Sequence, residues 1–169
     1  SRPGDRYFLL MAGIGFDAAI TAGVRQDEKR RLGALAYVLY GVAQTFRVRG
    51  ARARVVIDGR TTSGRVLMVI VGNTQLYGGL VKITHRAIID DGMLDVAVFR
   101  GSNGLGALRS FIAILRRRYS EDPDIDYYRA RTVQISARPR LPVQVDGDYI
   151  GEFEQVRLKA APGALTIIA

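Results

Sequence analysis

Residues 51–72 read ARARVVIDGRTTSGRVLMVIVG. In the first half, small or branched apolar residues alternate with arginine, the period-2 pattern of a strand with one wet face and one dry. Asp58-Gly59 follows, a dipeptide that reverses the chain in a two-residue hairpin because both positions accept positive φ. The second half, ending LMVIVG, is continuously apolar, as in a strand covered on both faces and therefore central. A hairpin with a buried partner strand predicts an antiparallel sheet.

Working outward, the same signals recur. Tyr7–Met11 is a short apolar strand candidate, and Val96–Val98, Thr132–Ala137, Pro142–Val145, Phe153–Lys159 and Leu165–Ile168 are further ones, most set off by Gly, Pro or Asp-Gly. Two segments break the pattern. Leu32, Leu35, Ala36, Leu39, Ala43 and Phe46 fall at helical spacing within Asp27–Phe46, and Leu105, Leu108, Ile112, Leu115 and Tyr119 do so within Asn103–Tyr119. Arg116, Arg117 and Arg118 crowd the end of the second helix, where basic residues suit the dipole or could meet a phosphate. Hairpins outnumber helices and do not alternate with them. The expected architecture is mainly β (α+β): an antiparallel β-sandwich with two packed helices in a single domain over 1–169.

Composition narrows the chemistry. There is no cysteine and one histidine in 169 residues, which excludes a disulfide framework and thiolate metal sites and leaves little room for a His-based zinc site or a Ser-His-Asp triad. Catalysis would rest on carboxylates, hydroxyls, Lys/Arg or backbone. Twenty-five basic residues against 16 acidic give +9, and only Lys29, Lys82 and Lys159 are lysines, so arginine carries the excess. That balance favours anionic partners: phosphates, acidic lipid headgroups or nucleic acid. No apolar run approaches the roughly 20 residues of a membrane span, so a soluble or peripheral protein is expected. The opening Ser1-Arg2-Pro3, with no initiator Met, suggests an intracellular fragment of something longer.

Three stretches could carry chemistry. Gly13-Ile-Gly15-Phe-Asp-Ala18 fits the glycine fingerprint of dinucleotide folds, but those need parallel strands, so a tight structural turn is the expected use. Val143-Gln-Val-Asp146-Gly147-Asp148 runs a strand into a hairpin turn flanked by two acids, which could hold a proton or a magnesium ion beside an anionic substrate. Ile88-Ile-Asp90-Asp91-Gly92-Met93-Leu94-Asp95 sets three carboxylates into one turn of a basic protein. Carboxylate plus backbone carbonyl oxygen is the ligand set of a hard cation, although the spacing is not that of an EF-hand. Between them, Val71-Gly-Asn-Thr-Gln-Leu-Tyr-Gly78-Gly79 ends a buried strand in a polar, glycine-rich loop that a substrate could approach closely.

Taken in order, AGIGFDA (12–18), LGALAY (32–37), VGNTQLYGG (71–79), RAIIDDGMLDV (86–96) and VQVDGD (143–148) resemble the C-terminal domain of the diacylglycerol kinase and sphingosine kinase family, in its bacterial branch. The resemblance implies a β-sandwich half of a lipid kinase whose other half, an α/β domain with a GGDGT motif, lies before it and binds ATP. No GGDGT occurs here.

Carried over residue by residue, the resemblance makes Asp91 the carboxylate ligand of a structural Mg2+, with the carbonyls of Ile88 and Met93 as companions. It makes Asp148, supported by Asp146, the base that receives the lipid hydroxyl's proton. The family usually reads D-G-E where this chain has Asp146-Gly147-Asp148. Both acids accept a proton, but Asp is one methylene shorter, and a base must come within about 2.6–3.2 Å of its proton. His85 stands where the family commonly has proline, and reads as a loop residue rather than a ligand.

The implied partners are a lipid substrate, an anionic membrane surface and the chain's own nucleotide-binding half. The implied location is cytoplasmic, peripheral at the inner membrane surface, and the fragment alone is expected to be inert. Exposed strand edges could pair two copies in a homodimer. The rival reading is a non-catalytic basic module that binds anionic lipid or nucleic acid; it accounts for the +9 but not for the paired acids. The acceptor itself, whether diacylglycerol, a sphingoid base, ceramide or a sugar lipid, is not legible in the residues.

Overall fold

The computed structural model describes residues 6–16, 18, 50–77, 81–101, 106, 109 and 122–166. Nine strands run β1 (Met11–Gly15), β2 (Ala51–Ile57), β3 (Arg60–Gly72), β4 (Leu76–Tyr77), β5 (Val81–Lys82), β6 (Leu94–Arg100), β7 (Ile125–Ala130), β8 (Thr132–Val145) and β9 (Asp148–Lys159). All pairings are antiparallel. The 51–72 hairpin forms as expected, with Ile57 opposite Arg60 across the Asp58-Gly59 turn.

The sheet is not two separate layers. β1 pairs with both β3 and β8, and β2 also pairs with both, so the four close a small barrel-like ring. β6 and β7 extend outward from β3, and β9 from β8. The closure is possible because β3 and β8 are long: their first halves bind β2 and their last residues bind β1. Register shifts at Val66/Met68 in β3 and Ser136/Leu141 in β8 mark where each strand bends between partners, as β-bulges do. What the sequence divides into strands at Thr132–Ala137 and Pro142–Val145 is therefore one bent strand.

Alternation places the core. In β2, residues 51, 53, 55 and 57 are buried, while Arg52 and Arg54 face out. They meet Ile14, Val69, Val71, Val96, Val98, Val133, Ile135 and Val143 inside the ring. A second cluster lies on the outer side of β3 and β6, where Leu67, Ile70, Ala97 and Phe99 join Ile83 and Ile125. β3 from Val66 and β6 are thus covered on both faces, which is why their sequences read as unbroken apolar runs. Replacing a side chain as buried as Phe99 by alanine typically costs about 3–5 kcal/mol.

Several expectations need correction. The first strand is Met11–Gly15 rather than Tyr7–Met11: MAGIG is buried at all five positions and paired on both edges, while Tyr7 is 76 % exposed. Gly13 accordingly sits in a strand, not a turn. Gly15 ends it at φ +97°, where a Cβ would stand 2.6 Å from the Leu67 carbonyl oxygen, and Phe16 and Ala18 beyond it are helical. Ile125–Ala130 is a strand the sequence reading passes over. Residues 165 and 166 are not in a strand.

The helix expected over Asp27–Phe46 lies outside the described residues. So does most of that over Asn103–Tyr119, of which Gly106 and Arg109 are described and helical. How those two segments pack thus lies outside the described residues. Arg109 reaches Asp122 at 3.1 Å and Asp124 at 2.9 Å. Among the described residues no helix is long and apolar enough to cross a membrane.

Candidate functional site

Three of the singled-out stretches meet at one end of the ring, where β1 begins, β3 and β8 end, and β9 starts. Asp146 and Gly147 form the β8–β9 turn, both at positive φ (49° and 90°). The Asp146 carboxylate does not project into solvent as a free acid. Its Oδ2 accepts the Leu9 N–H at 2.7 Å, and its Oδ1 accepts those of Leu10 and Met11, each at 2.9 Å. The Asp146 N–H in turn donates to the Met11 carbonyl at 2.9 Å. Four hydrogen bonds therefore fasten the segment entering β1 to a turn 135 or more residues away.

The other side of that segment is held by the loop after β3. Asn73 donates from its backbone to the Leu10 carbonyl at 2.8 Å and from Nδ2 to the Leu9 carbonyl at 3.1 Å. Gln75 Nε2 reaches the Ala87 carbonyl at 3.2 Å, and Thr84 Oγ1 donates to the Thr74 carbonyl at 2.6 Å. Gly72 makes room for this contact: a Cβ there would lie 2.4 Å from Thr84 Oγ1, and Thr84 is fully buried. The polar side chains of the VGNTQLY stretch thus tie backbone together. Buried Gln144, another polar residue in an apolar run, accepts the Gly147 N–H at 2.8 Å and stiffens the turn from beneath.

Asp148, the first residue of β9, is placed differently. It pairs through its backbone with Val145, is exposed, and its carboxylate has no hydrogen bond or ion pair to another described residue. Leu9 and Leu10, whose amides Asp146 clamps, and Tyr149, next in the strand, expose 53 %, 50 % and 43 % of their surfaces. The geometry brings Asp146 and Asp148 to one turn but separates them: one carboxylate is consumed by backbone amides, the other is exposed.

The acid-rich turn lies elsewhere, between β5 and β6. Asp91 Oδ1 accepts the Met93 N–H at 2.8 Å, and Oδ2 is bound by the Arg129 guanidinium from β7. Asp95 packs at the same place, its Oδ1 3.7 Å from Arg129 Nε. The Ile88 carbonyl accepts the Asp91 N–H at 3.4 Å. Both Asp91 oxygens are thus engaged, one by a fixed positive charge. This arrangement fits a magnesium ion poorly. The cation that Asp91 and Asp95 share is Arg129, 38 residues downstream of Asp91, a pairing no local spacing could announce.

Burial pushes the Asp95 carboxyl above the usual range, opposed by the Arg86 N–H and the Arg129, His85 and Arg86 charges. His85 packs edge-on against Tyr127 with ring centroids 4.9 Å apart, and burial lowers its pKa. It belongs to the packing under this loop.

An antiparallel, ring-closed β domain with a clamped acidic hairpin at one end matches a known class. Over residues 11–169 the sequence matches the family described as the YegS C-terminal NAD kinase beta sandwich-like domain, and the chain belongs to that family. Curated relatives include the diacylglycerol kinase of Bacillus subtilis, 28% identical over 86% of this chain and 48% of that protein. A probable lipid kinase YegS-like protein of Pseudomonas putida is 31% identical over 96% of this chain and 52% of its own length. A crystal structure of a putative diacylglycerol kinase from Bacillus anthracis superposes with a TM-score of 0.70 at 22% identity, covering 92% of this chain and 50% of that one; this likeness concerns the fold. The chain spans about half the length of the curated relatives it matches.

Proposed function

We propose that this chain is the lipid-acceptor half of an ATP-dependent lipid kinase that phosphorylates a hydroxyl such as that of diacylglycerol. Family membership and the names of the relatives support the reaction class, and the half-length coverage supports a partner half that supplies ATP with its magnesium. The observation that carries the reading is Asp148: an exposed carboxylate on a turn whose neighbouring Asp146 clamps the segment bearing exposed Leu9 and Leu10.

Phosphoryl transfer depends mainly on positioning and charge neutralisation, and a carboxylate orients the attacking hydroxyl and takes its proton. In this reading Asp148 receives that proton. Asp146 acts through the backbone: its three accepted N–H bonds fix the turn on which Asp148 stands and the segment that presents Leu9 and Leu10. The exposed Leu9 and Leu10 side chains are suited to contact acyl chains. No step requires a metal at Asp91.

The test is made in the chain joined to its upstream sequence. Asp148→Asn should lower lipid phosphorylation by about 10²–10⁴, the usual contribution of a positioned base, with ATP affinity and melting temperature unchanged. Turnover within a factor of two of the parent would reject Asp148 as the base.

A further inference from the structure

The outer face of the sheet formed by β3, β2, β8 and β9 carries a second feature, remote in the fold from the acidic turn. Strand register sets Arg52 directly opposite Arg65 on one side and Arg138 on the other, so three arginines form one row across three strands. In the next outward row Arg54 lies between Ser63 and Ser136, and in the row after that Gln134 stands opposite Arg157 of β9. Like charges directly opposite across strands destabilise a sheet, so such a row calls for anions. The positions directly paired in these rows hold no carboxylate. Glu154, at the rim, faces Arg140 at 3.6 Å instead. The rows line an open recess of about 750 Å³, on which Arg52, Arg54, Arg65 and Arg138 are all exposed.

We propose that this face is a membrane-docking surface for the phosphates of anionic phospholipids. Four strands about 4.8 Å apart spread the charge over roughly 14 Å, wider than one phosphate and suited to an array of headgroups. Arginine suits phosphate because its planar fork donates two parallel hydrogen bonds. The outward side chains in these rows are Arg, Ser, Thr, Gln and Val, with no aromatic ring on which a nucleic-acid base could stack. The choice of a lipid surface over other polyanions rests on the lipid-kinase reading above, but the docking step needs no phosphoryl transfer.

Vesicle sedimentation tests the proposal with the 169-residue chain. Vesicles of one part phosphatidylglycerol to two of phosphatidylcholine should retain it, and phosphatidylcholine alone should not. The triple variant Arg52→Gln, Arg65→Gln, Arg138→Gln should bind about 100-fold more weakly, from roughly fivefold per arginine, with an equal or higher melting temperature because mutual repulsion is relieved. Binding of the parent chain should also collapse between low and high salt, a measurement independent of how the variant folds.

Unchanged vesicle binding by the folded triple variant, salt-insensitive binding, or tighter binding to duplex DNA than to the anionic vesicles would overturn the proposal. In the chain with its upstream half, the triple variant should keep full activity on diacylglycerol in neutral detergent micelles and lose it on vesicles. Full vesicle activity in that variant would sink the docking face alone, whereas a parent chain that binds anionic vesicles yet transfers no phosphate in micelles would sink only the kinase reading.

Discussion

Two Asp-Gly turns sit at opposite ends of β8, and the contrast between them separates architecture from chemistry. Asp58 and Asp146 both adopt positive φ, 44° and 49°, with glycine next. Each carboxylate reaches across to the backbone of another segment: Asp58 accepts the N–H groups of Arg131 and Thr132 and the Thr132 hydroxyl, Asp146 those of Leu9, Leu10 and Met11. As clamps they are equivalent. They diverge one residue later, where one turn continues into Arg60 and the other into Asp148. In both turns the aspartate is thus a fastening, and the proposed base stands after the glycine of the second.

The largest effect that would break this comparison is the activity contrast. Asp148→Asn in the chain with its upstream half should remove nearly all lipid phosphorylation, while Arg60→Gln at the equivalent position of the other turn should leave kcat within twofold. If both variants retain activity, the hairpin following Gly147 has no catalytic privilege.

Stability should distinguish the clamps from the free acid. Asp146→Ala and Asp58→Ala each strand several backbone donors and should cost about 1–3 kcal/mol, seen as a drop of several degrees in melting temperature. Asp148→Ala should shift it by less than about 0.5 kcal/mol. Asn in place of either clamp keeps one acceptor and tolerates positive φ, so its loss should be smaller than that of Ala.

Acid sharpens the comparison further. Backbone hydrogen bonding from Arg131 leads in lowering the Asp58 pKa, against a smaller desolvation effect. Its stabilisation is therefore full above the ordinary 3.8 and disappears as pH falls through the lower folded value. The melting-temperature gap between parent and Asp58→Ala should hold from neutrality to about pH 4 and close below it. Asp95 has the opposite sign: its raised pKa means that stability declines as pH climbs from 3.8 through the folded value, and Asp95→Asn should flatten that slope. A parent-minus-variant stability difference that changes with pH in the same sense for Asp58→Ala and Asp95→Asn would contradict the geometry.

The smallest expected effect concerns the acidic turn. Melting curves in magnesium and in chelator should coincide for the parent, because Arg129 already neutralises Asp91. Arg129→Gln should lower stability by about 1 kcal/mol, mostly by removing one of the charges that compensate the 5 %-exposed Asp95. Magnesium-dependent stabilisation of the parent would show that the ion displaces the guanidinium.

The sequence made the local geometry legible and left the long-range geometry hidden. Alternation in Ala51–Ile57, the Asp58-Gly59 turn and the apolar run into Gly72 announce a central hairpin because their causes lie within a few residues. MAGIG does not announce a strand: its small residues are buried on both faces and show no alternation. IDYYRA hides for the opposite reason, since Asp126, Tyr127 and Tyr128 are all half-buried on a strand that flanks only β6. At the site, the acids near Asp91 and Asp146 are visible as a surplus, but their partners, Arg129 and the 9–11 amides, lie 38 and up to 137 residues away. Charge surplus indicates that a partner exists without indicating which.

The closure of the ring through β1 also dictates an order of events. Of these nine strands β1 is made first, it has partners in β3 and β8, and the residues that lock it, Asp146 and Asn73, are made later. Pairings this distant in sequence carry a loop-closure cost that is repaid only after the intervening hairpins exist. β1 must therefore wait and dock among the last elements, and the acidic tip acquires its final shape only when the barrel is otherwise complete. An incompletely folded chain thus lacks the clamped β8–β9 turn until the ring has closed.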